Sequence, residues 1–217
     1  MVVGVVPVQY HKKIADAIDA EIKKHGVESL EFEFRIGKIV KQGTKKVFES
    51  NINKTLFDTV VKTLKTCKIW DDVVSSSVEN HMGKGDKRTT IDLITKQTKS
   101  IEKKRLKNID IEMTGCPFDI RFSISSEIPL DDTIDVSKST IIRRQHRESF
   151  LYRIWSFDIT QVNTIKTPDK DTDETDSYEI EIELVDKEKA FKFPTKYVAE
   201  FGTLLCQDIV QMVKDNA

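Results

Sequence analysis

The sequence is short of the residues that build several common kinds of site. Of 217 residues only 3 are cysteine, and Cys67, Cys116 and Cys206 stand far apart. An odd, scattered set gives no disulfide framework and points to a reducing, intracellular compartment. With 4 histidines and no paired cysteines, a zinc centre is excluded as the organising feature. No apolar run approaches the ~20 residues of a membrane span, and nothing reads as a signal peptide. Charge of one sign is missing too. Lys and Arg number 35 against 36 Asp and Glu, a net charge of -1. A global basic field for non-specific nucleic-acid binding is therefore absent, and any electrostatic work has to be done by local sorting.

Charge itself is abundant, at 33% of the chain, and it is sorted. Glu31-Phe32-Glu33-Phe34-Arg35 and Glu179-Ile180-Glu181-Ile182-Glu183 alternate with period two. Successive side chains of a strand point to opposite faces, so each run puts its acids on one face and its apolar residues on the other. Five carboxylates in two rows repel one another unless water, cations or a metal neutralises them. Between the rows the same alternation recurs. Arg88, Thr90 and Asp92 share a face, as do Asp119, Arg121, Ser123, Ser125 and Glu127. Ser156, Asp158 and Thr160 form a third polar set, and Arg143, Gln145, Arg147 and Ser149 are placed with them.

Helical spacing appears around this β-rich middle. Ile14, Ile18 and Ile22 precede Gly26 as a C-cap, and a second helix fits Asn53 to Lys68 with Asn53 as N-cap. A third covers Thr195 to Lys214 despite Gly202. The predicted strands are 87–95, 98–106, 119–128, 140–150, 151–162 and 178–185, besides the first glutamate run. The acidic stretch 169–176 opens like a calcium loop, but Glu174 stands where the loop needs glycine and Ile180 where it needs glutamate, so it reads as a solvated connector. The helices around Ile18 and Leu64 are expected on the outer wall, covering the apolar strand faces. His146, Trp70 and Trp155 read as packing, rim or solvent residues.

An antiparallel sheet with one wet face would explain the alternation alone. Six to eight strands are also enough to close a barrel, and arginine recurs where lysine would suit a merely wet surface. A barrel with its polar face inward would set carboxylates, which hold hard cations such as Mg²⁺ or Mn²⁺, beside guanidinium forks that match phosphate oxygens. That combination suits phosphoryl transfer.

The two glutamate strands, Asp119 to Glu127, the Arg143 to Phe150 segment and Phe157-Asp158-Ile159-Thr160 resemble the triphosphate tunnel metalloenzymes. The resemblance runs from Glu31 to Leu184 and is to the branch of fungal, protozoal and large-DNA-virus RNA 5′-triphosphatases. It implies a mainly β (α+β) fold, a closed eight-stranded antiparallel barrel with helices packed outside, over a single domain 1–217. That domain would be the N-terminal part of a larger capping polypeptide or a separate chain. It implies removal of the γ-phosphate from 5′-triphosphate RNA, the first step of mRNA capping, with manganese-dependent NTP hydrolysis and a guanylyltransferase partner. By the resemblance Glu31, Glu33, Glu179, Glu181 and Glu183 hold Mg²⁺ or Mn²⁺. Arg35, Arg121, Arg143 and Arg147 contact phosphate, with Arg88, Lys103 and Arg105 as further wall residues. Glu127 and Asp158 orient basic side chains or the water. Arg35 replaces the family's usual lysine; it either grips phosphate or pairs with a neighbouring glutamate, and Glu183 either joins the metal set or ends its strand. Smaller tunnel enzymes that hydrolyse inorganic or thiamine triphosphate lack the arginine-rich middle. A non-catalytic polyphosphate- or RNA-end-binding barrel is the reading from another class.

Overall fold

A computed structural model describes residues 5–131, 135–166 and 173–214. In chain order the elements are α1 (Val8–His25), β1 (Leu30–Gln42), β2 (Lys45–Glu49), α2 (Lys54–Thr66), β3 (Asp72–Met82) and β4 (Lys87–Asp92). They continue as β5 (Thr98–Ile111), β6 (Asp119–Leu130), β7 (Ile141–Tyr152), β8 (Trp155–Lys166), β9 (Asp173–Leu184), α3 (Lys187–Ala190) and α4 (Thr195–Lys214). The strands run β2-β1-β6-β5-β4-β3-β7-β8-β9, and β9 pairs back onto β1. All pairings are antiparallel, so eight strands close a barrel and β2 is a short flap on the far half of β1. Closure removes the sheet edges that an open sheet would expose.

The alternation in the sequence decides which face turns where. On β1, Leu30, Phe32, Phe34 and Ile36 are buried on the outside of the barrel, beside Ile120, Phe122 and Ile124 of β6 and Ile180, Ile182 and Leu184 of β9. Ile14 and Ile18 of α1, Val60 and Leu64 of α2, and Val198, Leu205 and Ile209 of α4 belong to the same buried cluster. The hydrophobic core thus lies between barrel and helices, and the interior of the barrel is polar. The caps expected from sequence form: Asn53 Oδ1 accepts from Thr55 N at 2.8 Å, and Gly26, at φ 75°, donates its N–H to Ile22 O. No helix among the described residues is long and apolar enough to cross a membrane.

The structure revises several element boundaries. The turn between the seventh and eighth strands falls at Arg153 (φ 58°), so Leu151 and Tyr152 extend β7 rather than opening β8. β4 ends at Asp92, whose side chain accepts from Ile94 N and Thr95 N to form the turn. Asp173 to Asp176 lengthen β9 instead of forming a connector, with Asn163 Nδ2 donating to Asp176 Oδ1 at 2.9 Å. The earlier part of that acidic stretch, 169–172, lies outside the described residues. β5 runs past Leu106 to Ile111 through a bulge between Arg105 and Lys107. That bulge switches the inward-facing parity, from Lys103 and Arg105 before it to Asn108 and Asp110 after it.

Gly202 sits in the middle of α4 because nothing larger fits there. A Cβ at this position would lie 2.3 Å from the Phe34 ring and 3.0 Å from Trp155. The helix costs of glycine are outweighed by close approach to the barrel. Gly202→Ala is expected to destabilise the fold by ~1–3 kcal/mol, lowering the melting temperature by several degrees in differential scanning calorimetry. An unchanged melting temperature would mean that α4 does not pack this closely.

Candidate active site

Barrel closure brings the two glutamate rows onto adjacent strands. In the β1–β9 seam Glu33 lies opposite Glu183, and Arg35 opposite Glu181. The inward set is continued by Asp158 and Thr160 of β8, Arg143, Gln145 and Arg147 of β7, Arg88 and Thr90 of β4, and Lys103 of β5. A cavity of about 230 Å³ inside the barrel is lined by Glu31, Glu33, Arg35, Arg88, Lys103, Arg143, Arg147, Glu179 and Glu181, together with Ser76, Val78, Asn80, Thr90 and Gln145. Carboxylates fill the β1–β9 wall, and cations come mainly from the opposite side.

The charges are locked together. Arg35 Nη2 lies 2.8 Å from Glu181 Oε1 and donates to Glu33 Oε2 at 3.2 Å. Its Nε stands 3.0 Å from Glu33 Oε1 but off the N–H direction, an ion pair rather than a hydrogen bond. Arg147 spends its whole fork on the wall: Nε on Thr160 Oγ1, Nη1 on Asp158 Oδ2 at 2.7 Å, Nη2 on Glu181 Oε2 at 2.9 Å. Arg143 Nη2 donates to Glu179 Oε1 at 2.8 Å, and Lys103 pairs with Glu31 and, at 3.1 Å, with Glu127. Asp158 is held in turn by Ser156 Oγ at 2.5 Å. Arg88 is the least engaged guanidinium of the cavity. Its Nη2 is 3.6 Å from Glu127, and its buried Nε has no hydrogen-bond partner among the described residues.

Burial and charge shift the acids in opposite directions along the seam. Burial alone would raise Glu181, but Arg35 and Arg147 outweigh it and hold the carboxyl below its usual range. Burial would likewise lower Arg35 and Arg147, and their glutamate and aspartate neighbours reverse this, raising both. Glu31 is pushed up to about 7 by burial and then by Glu33, against the pull of Lys103. Glu183 is pushed up to about 8 by burial, Glu31 and Asp158. No basic side chain forms an ion pair with Glu183 among the described residues. This end of the tunnel opens into a cavity of about 570 Å³ lined in part by Glu31, Glu127, Glu183, Lys99 and Lys187.

Not every sequence-nominated residue reaches the central cavity. Arg121 shares the inward face but turns its fork onto Asp110, at 2.6 and 2.9 Å, and lies 4.7 Å over the Phe48 ring. Arg105 donates to Ser123 Oγ at 3.2 Å and reaches Glu33 only at 3.9 Å; burial and Arg35 lower its pKa. Glu127 and Asp158 meet basic side chains, Lys103 and Arg147. The lining residues that sequence reasoning missed as site residues are Ser76, Val78, Asn80, Thr90 and Gln145. Thr90 and Gln145 were visible as inward-facing, whereas β3 carries serines and valines with no clean alternation.

A closed antiparallel tunnel with opposed acidic and basic walls defines the triphosphate tunnel class. Within it, the chain belongs to the family described as mRNA capping enzyme, beta chain, whose model matches residues 67–215. It is 26% identical over 199 residues to the 5′RNA triphosphatase A449R of Paramecium bursaria Chlorella virus 1, covering 92% of this chain and 97% of that one. Its fold matches that of the S. pombe Pct1 RNA triphosphatase with a TM-score of 0.76, at 17% identity over 96% of this chain and 93% of the other. The triphosphatase of the mimivirus capping enzyme matches with a TM-score of 0.58, at 17% identity over 92% and 97%.

Capping enzymes of this tunnel class are metal-dependent. The residues here fit a hard cation by chemistry: the donors are carboxylate oxygens, and two of them, on Glu31 and Glu183, are driven toward protonation by burial and by neighbouring acids, Glu183 with no ion-pair partner among the described residues. Among the described residues no three acidic, histidine or cysteine side chains already form a chelating group, because Arg35, Lys103, Arg143 and Arg147 occupy the carboxylate oxygens.

This arrangement gives the metal-free protein a definite pH response. Glu31 and Glu183 titrate above the ordinary carboxyl value of 4.5, so the folded state holds their protons more tightly than the unfolded chain. The stability they carry is complete below that value and is lost as pH rises through about 7 and about 8. The melting temperature of metal-free protein is expected to fall between roughly pH 4.5 and roughly pH 8 and to level off above that, and Glu183→Gln should flatten the fall. Parallel pH profiles for wild type and variant would show that Glu183 is not held in this environment.

Proposed function

We propose that the chain is a metal-dependent RNA 5′-triphosphatase, removing the γ-phosphate of a 5′-triphosphate RNA end in the first step of mRNA cap formation. The observation that carries this reading is the convergence of the Glu33, Glu179 and Glu181 wall with Arg88, Lys103, Arg143 and Arg147 around one cavity inside the barrel. Phosphoryl transfer asks a protein mainly to position the chain of phosphates and to stabilise charge on the transferred group. Arg143 and Arg147 are fixed in place by Glu179, Glu181 and Asp158, so their cost of ordering is met before substrate arrives. Arg88 brings an unpartnered donor, and Lys103 a compact charge near the Glu31 mouth. Glu127 and Asp158 act as orienting groups, since each holds a basic side chain of the lining.

Glu31, Glu33, Glu179, Glu181 and Glu183 are the candidate ligands for Mg²⁺ or Mn²⁺, which would neutralise phosphate charge and lower the pKa of the attacking water. Arg35 is then a wall residue with two roles in one position. It bridges Glu33 and Glu181 and keeps a guanidinium edge in the cavity, a geometry that lysine would not reproduce. The low-dielectric interior strengthens each of these contacts. The same site would hydrolyse free NTPs with manganese. Its product, a 5′-diphosphate RNA end, is the substrate of a guanylyltransferase, the expected partner whether on the same polypeptide or separate.

Release of phosphate from γ-labelled 5′-triphosphate RNA, with and without Mn²⁺, is the direct assay. Glu33→Ala and Glu181→Ala are each expected to lower the rate about a hundredfold or more at unchanged fold, judged by circular dichroism. Full activity in both variants would remove the carboxylate wall from the mechanism.

A further inference from the structure

The tunnel wall also carries a chain of neutral groups that gripping phosphate by charge does not use. Asn80 of β3 is only 3% exposed, and it is bonded on both sides. Thr90 Oγ1 donates to Asn80 Oδ1 at 2.6 Å, and Asn80 Nδ2 donates to Gln145 Oε1 at 2.7 Å. The polarity of this chain follows from what each group owns. The Asn80 oxygen is taken by the threonine hydroxyl, so Asn80 offers its NH₂ to Gln145. That engages the Gln145 oxygen and leaves the Gln145 NH₂ without a protein acceptor among the described residues. Gln145 stands between Arg143 and Arg147 on β7, and all three members of the chain line the central cavity.

We infer that the Thr90–Asn80–Gln145 relay fixes the Gln145 amide as a neutral N–H donor to a nonbridging oxygen of the bound polyphosphate. Gln145 is the substrate-contacting residue, and Asn80 and Thr90 are positioning residues that decide which end of its amide faces the cavity. The inference rests on the triphosphatase reading. Its physical sense lies in the neighbours. The cations at 143 and 147 are already shared with Glu179, Glu181 and Asp158, so a further cation would compete for those carboxylates. A neutral donor adds direction without adding charge. The amide also comes pre-oriented, since β3, β4 and β7 each contribute one link and hold it across three strands.

The test measures binding of inorganic tripolyphosphate by calorimetry alongside steady-state hydrolysis of 5′-triphosphate RNA. Gln145→Met keeps the length of the side chain and removes the donor. It is expected to raise both the tripolyphosphate Kd and the RNA KM about tenfold, with kcat within about threefold; the Asn80 NH₂ loses its acceptor, so the melting temperature should fall by a few degrees with the circular dichroism spectrum unchanged. Gln145→His, assayed at about pH 8 where the imidazole is neutral, can accept from Asn80 on one ring nitrogen and donate from the other, and should return KM to within about threefold of wild type. A residue that only filled space would not be rescued this way. Asn80→Asp can only accept, so Gln145 would turn its NH₂ toward it and show its oxygen to the substrate. The variant should therefore raise KM more in the wild-type background than in the Gln145→Met background. Unchanged Kd and KM in Gln145→Met, or Gln145→His as impaired as Gln145→Met, would overturn the relay while leaving the triphosphatase reading intact. A wild-type protein that neither binds tripolyphosphate nor cleaves the RNA would overturn both.

Discussion

Everything in the tunnel depends on the short seam where β1 meets β9. Only Glu33 to Ile36 pair there with Ile180 to Glu183, and across those few residues Arg35 joins Glu33 of its own strand to Glu181 of the other. The seam does two things at once. On the outer side it aligns Phe34 with Ile182 under α4 and completes the apolar face. On the inner side it forces like-charged glutamates into register, an arrangement that is unfavourable unless cations lie between them. Arg35 supplies one such cation from within. The remaining deficit is centred on Glu183, which no basic side chain pairs among the described residues, and it is this deficit that the proposed metal would offset.

Stability and chemistry are consequently held on opposite faces of the same strands. The outer face, from Leu30 and Phe32 through Trp155 to the helices, is a conventional apolar core. The inner face is a network of partly buried ion pairs, whose mutual attraction is offset by the loss of hydration. Such a network is weak support for the fold and strong preparation for a polyanion, because Arg143 and Arg147 are held in place before a ligand arrives. It also makes single truncations costly: removing Arg147 would leave Asp158 and Glu181 buried and short of a partner.

Much of this was legible in the sequence because period-two alternation is unambiguous where one face is aromatic or branched and the other charged. Glu31, Glu33 and Arg35 on β1, and Glu179, Glu181 and Glu183 on β9, needed only that rule. β7 was harder, since Ile142 to Ser149 is polar on both faces, yet Arg143, Gln145 and Arg147 do turn inward. Two features left no local signal. The bulge at Leu106 carries no glycine, so nothing in the run Lys103 to Asp110 announces that Asp110 rather than Ile109 will face Arg121. And β3, with its run of Ser75, Ser76 and Ser77, is recognised only through its partners β4 and β7, which is why Asn80 went unseen as a lining residue. Long-range pairing, rather than local propensity, settled both.

The central claim is that the acidic rows face inward and together seat a cation opposite the guanidinium wall. The most direct measurement is the anomalous difference map of a crystal grown with Mn²⁺ and recorded near the manganese edge. A peak inside the barrel, bounded by Glu31, Glu33, Glu181 and Glu183 and open toward Arg143 and Arg147, is the expected result. A tunnel without manganese at saturating concentration, or a peak confined to the outer surface, would contradict it.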